Sequence, residues 1–166
     1  MTDKLKSSPA KVQAFLSSHG YPFTVREMPG STRTAKDAAT AVGCTVSQIA
    51  KSLIFKERRT GEPILVVASG TNRVSSKKVE QATGLQLSKA DADFVREKVG
   101  YTIGGVPPVA HQTPVKTILD QDLLQFDSIW AAAGSPHSVF ELTPRDLGAM
   151  TQGEWIDLAW EDRNAP

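Results

Sequence analysis

The chain reads as one α/β (α+β) domain built on a mixed β-sheet. Three observations lead there. Its 166 residues, 40% hydrophobic and 22% charged, suit one domain with a buried core. Two apolar runs, Leu53–Phe55 and Ile64–Ala68, flank the polar segment Glu57–Glu62, which reads as a hairpin. Capped helices then interrupt the strands at irregular intervals, which argues against regular βαβ winding. No internal repeat, low-complexity segment or long linker divides residues 1–166, so a single domain is predicted for the whole chain.

The elements follow in order. Ser8-Pro9 starts a helix with a good N-cap and a proline at the first helical position. Val12, Phe15, Leu16 and His19 fall on one face of it, and Gly20 closes it. Phe23–Met28 alternates like a strand and Pro29-Gly30 turns the chain. Thr34 caps a second helix, whose small residues Ala35, Ala38, Ala39 and Val42 permit close packing before Gly43 ends it. Thr45-Val46-Ser47-Gln48 is a capping box that predicts a short helix through Ile49 and Ala50. Lys51 would then stand where that helix meets the strand Ser52–Phe55. Helices are also predicted over Ser75–Ala82, from Ser88 or Asp91 to Lys98, and from Thr143-Pro144 onward. Strands are predicted at Tyr101–Ile103, Val115–Leu119, Ile129–Ala133, Val139–Leu142 and Trp155–Ala159.

Composition narrows the function. No apolar run approaches the roughly 18 residues of a membrane helix. The start, Met1-Thr2-Asp3-Lys4-Leu5-Lys6, lacks the apolar centre of a signal peptide. Cys44 is the single cysteine, so no internal disulfide is possible and the cytoplasm is the predicted location. Lys plus Arg is 19 against 18 Asp plus Glu, a formal charge of +1. That balance argues against coating nucleic acid by charge alone and leaves room for a local basic patch.

Several segments have two readings each. His19, His111, His137 and Cys44 form no HExxH or CxxC pattern, so no metal site is predicted. Cys44 reads as a small buried hydrophobe. Gly104-Gly105-Val106-Pro107-Pro108 is either a rigid turn or a cradle whose N–H groups receive an anion or a developing oxyanion. Lys51 is either a solvated lysine at a helix end or a fixed cation suited to a phosphate or ribose. Ala131-Ala132-Ala133-Gly134-Ser135-Pro136-His137 ends a strand in small residues able to floor a tight pocket. His137, like His111, is either a loop histidine or a group that orients substrate or moves a proton. The tracts Lys56-Glu57-Arg58-Arg59 and Lys77-Lys78 read as solvated charge.

Taken in order, these segments resemble the YbaK/EbsC family, and with it the editing insertion domain of bacterial prolyl-tRNA synthetases. The resemblance covers Ala10 to Leu158. It rests on Thr45-Val46-Ser47-Gln48-Ile49-Ala50-Lys51-Ser52-Leu53-Ile54-Phe55, on Ile64–Val67, on Gly100-Tyr101-Thr102-Ile103 running into the Gly104–Pro108 loop, and on Ala133-Gly134 through Phe140-Glu141-Leu142-Thr143-Pro144-Arg145-Asp146-Leu147. The resemblance implies a mixed, barrel-like sheet surrounded by helices. It also implies a freestanding deacylase that hydrolyses mischarged aminoacyl-tRNA in trans, usually tRNA(Pro), with no metal and no cofactor. Lys51 would hold the terminal adenosine. Backbone N–H groups of Gly104, Gly105 and Val106 would face the scissile carbonyl. His137 stands where some members carry a histidine. Ser52, Pro108, Ala133, Gly134 and Ser135 would contact substrate. The expected partners are the aminoacyl-tRNA and prolyl-tRNA synthetase, with no membrane and no DNA.

The tight pocket points to a small uncharged residue such as alanine, cysteine or 2-aminobutyrate. One methylene gives only about 10–200-fold discrimination by binding, which is why a second editing step is needed at all. Two positions depart or vary. Ala110 stands before His111 where the family often has glycine, and Ser52 follows Lys51 at a position that differs among subfamilies. The competing reading is a module that binds tRNA or a nucleotide, or docks on a synthetase, without hydrolysis. Lys51→Ala separates the two.

Overall fold

A computed structural model describes residues 7–161. The expectation about Met1–Lys6 lies outside the described residues. The chain order is α1 (Ser7–Ser18), β1 (Arg26–Glu27), α2 (Ala35–Val42), β2 (Ile49–Glu57), β3 (Pro63–Ser69), α3 (Ser76–Thr83), β4 (Leu87–Lys89), α4 (Ala92–Lys98), β5 (Lys116–Asp120), β6 (Ile129–Ala132), β7 (Ser138–Leu142), α5 (Pro144–Thr151) and β8 (Glu154–Ile156). One mixed sheet takes the order β1-β7-β6-β2-β3-β5-β8, with β4 added to β2. The predicted hairpin is β2–β3, antiparallel from Ala50↔Ser69 to Lys56↔Pro63. β2 and β6, β3 and β5, and β5 and β8 run parallel. The α/β class with a mixed sheet and helices around it is the one predicted.

β3 is the centre of the packing. Its side chains alternate with period two between two apolar layers. Leu65 and Val67 join Val12 and Leu16 of α1, Val95 of α4 and Leu147 of α5. Ile64, Val66 and Ala68 join Val79 of α3, Ile118 and Ile156. All five β3 residues are at most 2% exposed, which explains their unbroken apolar run. Cys44 packs beside a third cluster, formed by Ala38, Ala39, Ile49, Trp130 and Val139. Burial and the nearby Glu141 push its thiol pKa up.

The structure corrects several element boundaries. The capping box closes as predicted, with the Thr45 N–H donating to Gln48 Oε1 at 3.1 Å. It yields only a three-residue 3₁₀ turn, Val46–Gln48, because Ile49 and Ala50 pair with Trp130 and Ala131 of β6. Lys51 is therefore the third residue of a strand and not the end of a helix. The predicted strand Phe23–Met28 shrinks to Arg26–Glu27. The Val25 N–H is taken by Gln13 Oε1 and the Met28 N–H by the His137 carbonyl. Tyr101–Ile103 is irregular, since Tyr101 is buried and no strand adjoins it. Asp91, not Ser88, caps α4, and Ser88 pairs in β4, an element the sequence did not reveal. A 3₁₀ turn at Gln121–Gln125 also went unpredicted.

Glu57 is not a solvated charge. It is buried at the end of β2, where its carboxylate accepts the N–H groups of Gln86, Thr60 and Arg59 at 2.9, 3.0 and 2.9 Å. The Gln86 bond leads the effect, burial opposes it, and the balance holds the Glu57 pKa at about 2. A depressed carboxylate stabilises the fold above its unfolded pKa, near 4.3. That contribution is lost as pH falls through about 2. Acid titration followed by circular dichroism is expected to show wild-type protein losing more stability than Glu57→Gln between pH 4.5 and pH 2. Parallel acid limbs would contradict this account.

Candidate active site

The site begins as a break in hydrogen bonding. On the edge of β2 away from β3, Ile49 and Ala50 pair with β6 and Phe55–Glu57 pair with β4. Lys51–Ile54 have no strand partner on that edge. A cavity of about 330 Å³ opens there, lined by Lys51, Ser52, Leu53, Arg33, Trp130, Ala131, Ala132, Ile103, Gly104 and Val106, among others. A second cavity of about 240 Å³ adjoins it and shares Ser52, Leu53, Ile103, Gly104 and Val106. Phe55, Ile54 and Val95 complete its wall.

The loop after α4 faces this break. The Gly105 N–H donates to the Thr102 carbonyl at 3.0 Å, and the Gly105 carbonyl accepts the Gly134 N–H at 2.9 Å. The N–H groups of Gly104 and Val106 have no protein acceptor among the described residues. Pro107 and Pro108 have no N–H to give. The loop therefore carries two unpaired backbone donors on residues that line the cavity. Gly105 is required for packing: a Cβ there would lie 2.7 Å from Ser135 Cα. Arg33 lays its side chain over Gly104, so that a Cβ on Gly104 would lie 2.6 Å from Arg33 Cγ. The Arg33 side chain is exposed and forms no ion pair among the described residues.

Lys51 is held on the opposite side by the turn after β3. Its Nζ donates to the Gly70 carbonyl at 3.4 Å. Gly70 sits so close to the 3₁₀ turn that a Cβ would come within 2.2 Å of the Val46 carbonyl oxygen. Asp120, 1% exposed, fastens this turn. It accepts the Ser69 N–H at 2.9 Å and Asn72 Nδ2 at 2.8 Å, and Ser69 Oγ donates to the Ser47 carbonyl at 2.6 Å. Burial lowers the Lys51 pKa, Asp120 raises it, and Arg73 lowers it further. The lysine is thus a partly desolvated cation with no carboxylate in direct contact among the described residues. Burial also leaves Ser52 Oγ without a hydrogen-bond partner. Among the described residues no three His, Cys, Asp or Glu side chains gather to hold a metal.

Comparison with known proteins gives the family. The aminoacyl-tRNA editing domain family matches residues 30–149, which include β2, the Gly104–Pro108 loop and β6. The chain belongs to the aminoacyl-tRNA editing domain family. This editing domain is 35% identical over 140 residues to the protein YwhH of Bacillus subtilis, covering 82% of this chain and 88% of that one. It is 22% identical to EbsC of Enterococcus faecalis, named as a candidate Cys-tRNA(Pro)/Cys-tRNA(Cys) deacylase, across 98% of this chain and all of the other. Among solved structures, one described as a candidate trans-editing enzyme for prolyl tRNA synthetase superposes with a TM-score of 0.88. It shares 44% identity and covers 95% of this chain and 99% of that one.

The editing domain brings together only part of the predicted site. Lys51, Ser52, Gly104 and Val106 line the cavity. Gly105 contributes packing, because its N–H is already bonded. His137 is exposed and points away, with Nδ1 3.0 Å from the Gly30 carbonyl. Ser135 Oγ is bonded to Ser138 Oγ at 2.6 Å, and Gly134 packs on the backbone of Ser8 and Pro9. Ala133 is buried in the core, and Pro108 lines a different cavity on the far side of the loop. Of the small-residue strand, Ala131 and Ala132 reach the site. Arg33, Trp130 and Ile103 went unrecognised in the sequence. Their segments are far apart along the chain, and no local pattern marks any of them.

An unpartnered buried hydroxyl costs stability, so Ser52→Ala is expected to stabilise the free protein by about 1 kcal/mol in thermal denaturation. A loss of stability of that size would show that the hydroxyl has a partner in the free protein.

Proposed function

We propose that this editing domain is a trans-acting deacylase that hydrolyses the ester of a mischarged tRNA. The proposed substrate is tRNA(Pro) carrying a small non-cognate residue, alanine, cysteine or 2-aminobutyrate, and the reaction takes place in the cytoplasm. One observation carries the reading: a half-buried lysine and two residues with unpaired backbone N–H groups border one cavity at the break in β2.

In this reading Lys51 holds the ribose or phosphate of the terminal adenosine. The ester carbonyl oxygen faces the N–H groups of Gly104 and Val106. Water adds to the carbonyl carbon, the oxyanion collects the two hydrogen bonds, and the carbon–oxygen bond to the ribose breaks. The ribose oxygen leaves with a proton, giving free tRNA and the amino acid. Each donor is worth about 3 kcal/mol to the oxyanion. The residues lining the cavity include no histidine, cysteine or carboxylate. The proton is therefore moved by the substrate's own ribose hydroxyl; for a cysteinyl ester, the substrate thiol instead attacks its own carbonyl, its proton passes to the departing ribose oxygen, and water then opens the thiolactone to free cysteine. Arg33, unpaired at the rim, meets the phosphate that leads into the terminal nucleotide. Ala131 and Ala132 keep that wall short-chained, which suits a small acyl group. Prolyl-tRNA synthetase, which forms such esters, is the proposed functional partner.

The test is deacylation of tRNA(Pro) charged separately with alanine, cysteine, 2-aminobutyrate, serine and proline. Loss of one small non-cognate ester, unaffected by EDTA and with the prolyl ester spared, is the expected outcome. Lys51→Ala is expected to lower kcat/KM at least about 100-fold, a loss of roughly 3 kcal/mol of transition-state stabilisation. The melting temperature is expected to stay within about 2 °C, since the Lys51–Gly70 contact is long and weak. Binding of the charged tRNA without loss of any ester would favour the non-catalytic module instead.

A further inference from the structure

We infer that His111 is a positioning residue that aims the Gly104–Val106 donors by holding the Pro107 carbonyl from behind, an inference that rests on the deacylase reading above. His111 does not border the catalytic cavity. It lies on the other side of the loop, in a recess with Phe15, Val115, Met150 and Thr151. Its Nε2 is 2.7 Å from the Pro107 carbonyl oxygen. A carbonyl only accepts, so Nε2 carries the proton and donates.

The chain geometry makes this bond consequential. Pro107 and Pro108 have fixed φ and no N–H, so the segment after Val106 is stiff and cannot be held by backbone donors of its own. Whatever grips the Pro107 carbonyl sets the direction of that segment, and with it the aim of the Val106 N–H. His111 is that grip. The ends of the loop are tied as well. The Gln112 N–H donates to the Val99 carbonyl at 2.9 Å, and Tyr101 Oη donates to the Ala110 carbonyl at 2.7 Å. The Tyr101 and His111 rings meet edge to face with centroids 6.5 Å apart. Ala110 holds φ at +67°, a left-handed conformation that costs an alanine energy and persists where the surroundings enforce it. That kink turns His111 back onto Pro107. Burial lowers the His111 pKa, and the Pro107 bond offsets this only in part.

Two variants separate the hydrogen bond from the ring. His111→Phe keeps an aromatic edge against Tyr101 and loses the donor. His111→Gln places an amide donor near the Nε2 position and loses the ring. Two readouts are taken: steady-state deacylation, and amide hydrogen exchange at Gly105 and Gly134, whose bonds define the loop. His111→Phe is expected to lower kcat at least tenfold with KM within twofold, and to speed exchange at both amides at least tenfold. Core amides of β3 are expected to stay unchanged. His111→Gln is expected to return both readouts to within threefold of wild type. Wild-type exchange and kcat in His111→Phe would overturn the inference. So would a His111→Gln protein as impaired as His111→Phe, or one with unprotected loop amides if His111→Phe does not fold. Exchange needs no substrate. Faster loop exchange in His111→Phe, beside a wild-type protein that cleaves none of the esters, would leave the brace standing and remove the deacylase reading.

Discussion

The site depends on hydrogen bonds that β2 does not make on one edge. A central strand normally satisfies both edges, because an unpaired backbone group costs stability when buried. Here β6 departs after Ala50 and β4 arrives only at Phe55. The intervening edge, Lys51–Ile54, has no strand partner and opens onto the cavity. β3 makes such an opening tolerable. Paired along its length with β2 and β5 and buried in two apolar layers, it keeps the other edge of β2 straight.

Two supports then furnish the opening with chemistry. Asp120 and its donors Ser69 and Asn72 fasten the turn that receives Lys51. The loop from Tyr101 to His111 carries the Gly104 and Val106 donors and is tied at both ends by its own side chains. Cation and donors thus arrive on separate, independently braced segments. The residues lining the cavity include no histidine, cysteine or carboxylate. The arrangement suits a substrate that is already activated, as an aminoacyl ester is. In the proposed reaction, orientation and oxyanion stabilisation are the contributions the protein makes.

Most of the fold was legible because the local signals agree with the tertiary ones. Thr34 caps its helix as read, and the β2–β3 hairpin follows from two apolar runs and a polar connection. The failures share a cause. Phe23–Met28 has a strand pattern, but its N–H groups find a glutamine side chain and a turn. Leu87–Lys89 has no strong pattern, yet forms a strand because β2 presents an edge there. Lys51 and the double glycine stood out by residue type. Arg33, Trp130 and Ile103 did not, because a cavity wall assembled from distant segments leaves no periodic trace. His137 stood out because a histidine after a small-residue strand has the right chemistry, and it lies outside the cavity lining. Only the fold shows that its ring turns to Gly30 and solvent.

The most direct test is a crystal structure with a non-hydrolysable aminoacyl-adenosine, the ester replaced by an amide, bound to the wild-type protein. The account predicts the acyl carbonyl oxygen about 2.9 Å from the N–H nitrogens of Gly104 and Val106, with the ribose against Lys51 and the acyl side chain toward Ala131 and Ala132. An acyl carbonyl turned away from both donors, or an adenosine bound elsewhere than the break in β2, would contradict it.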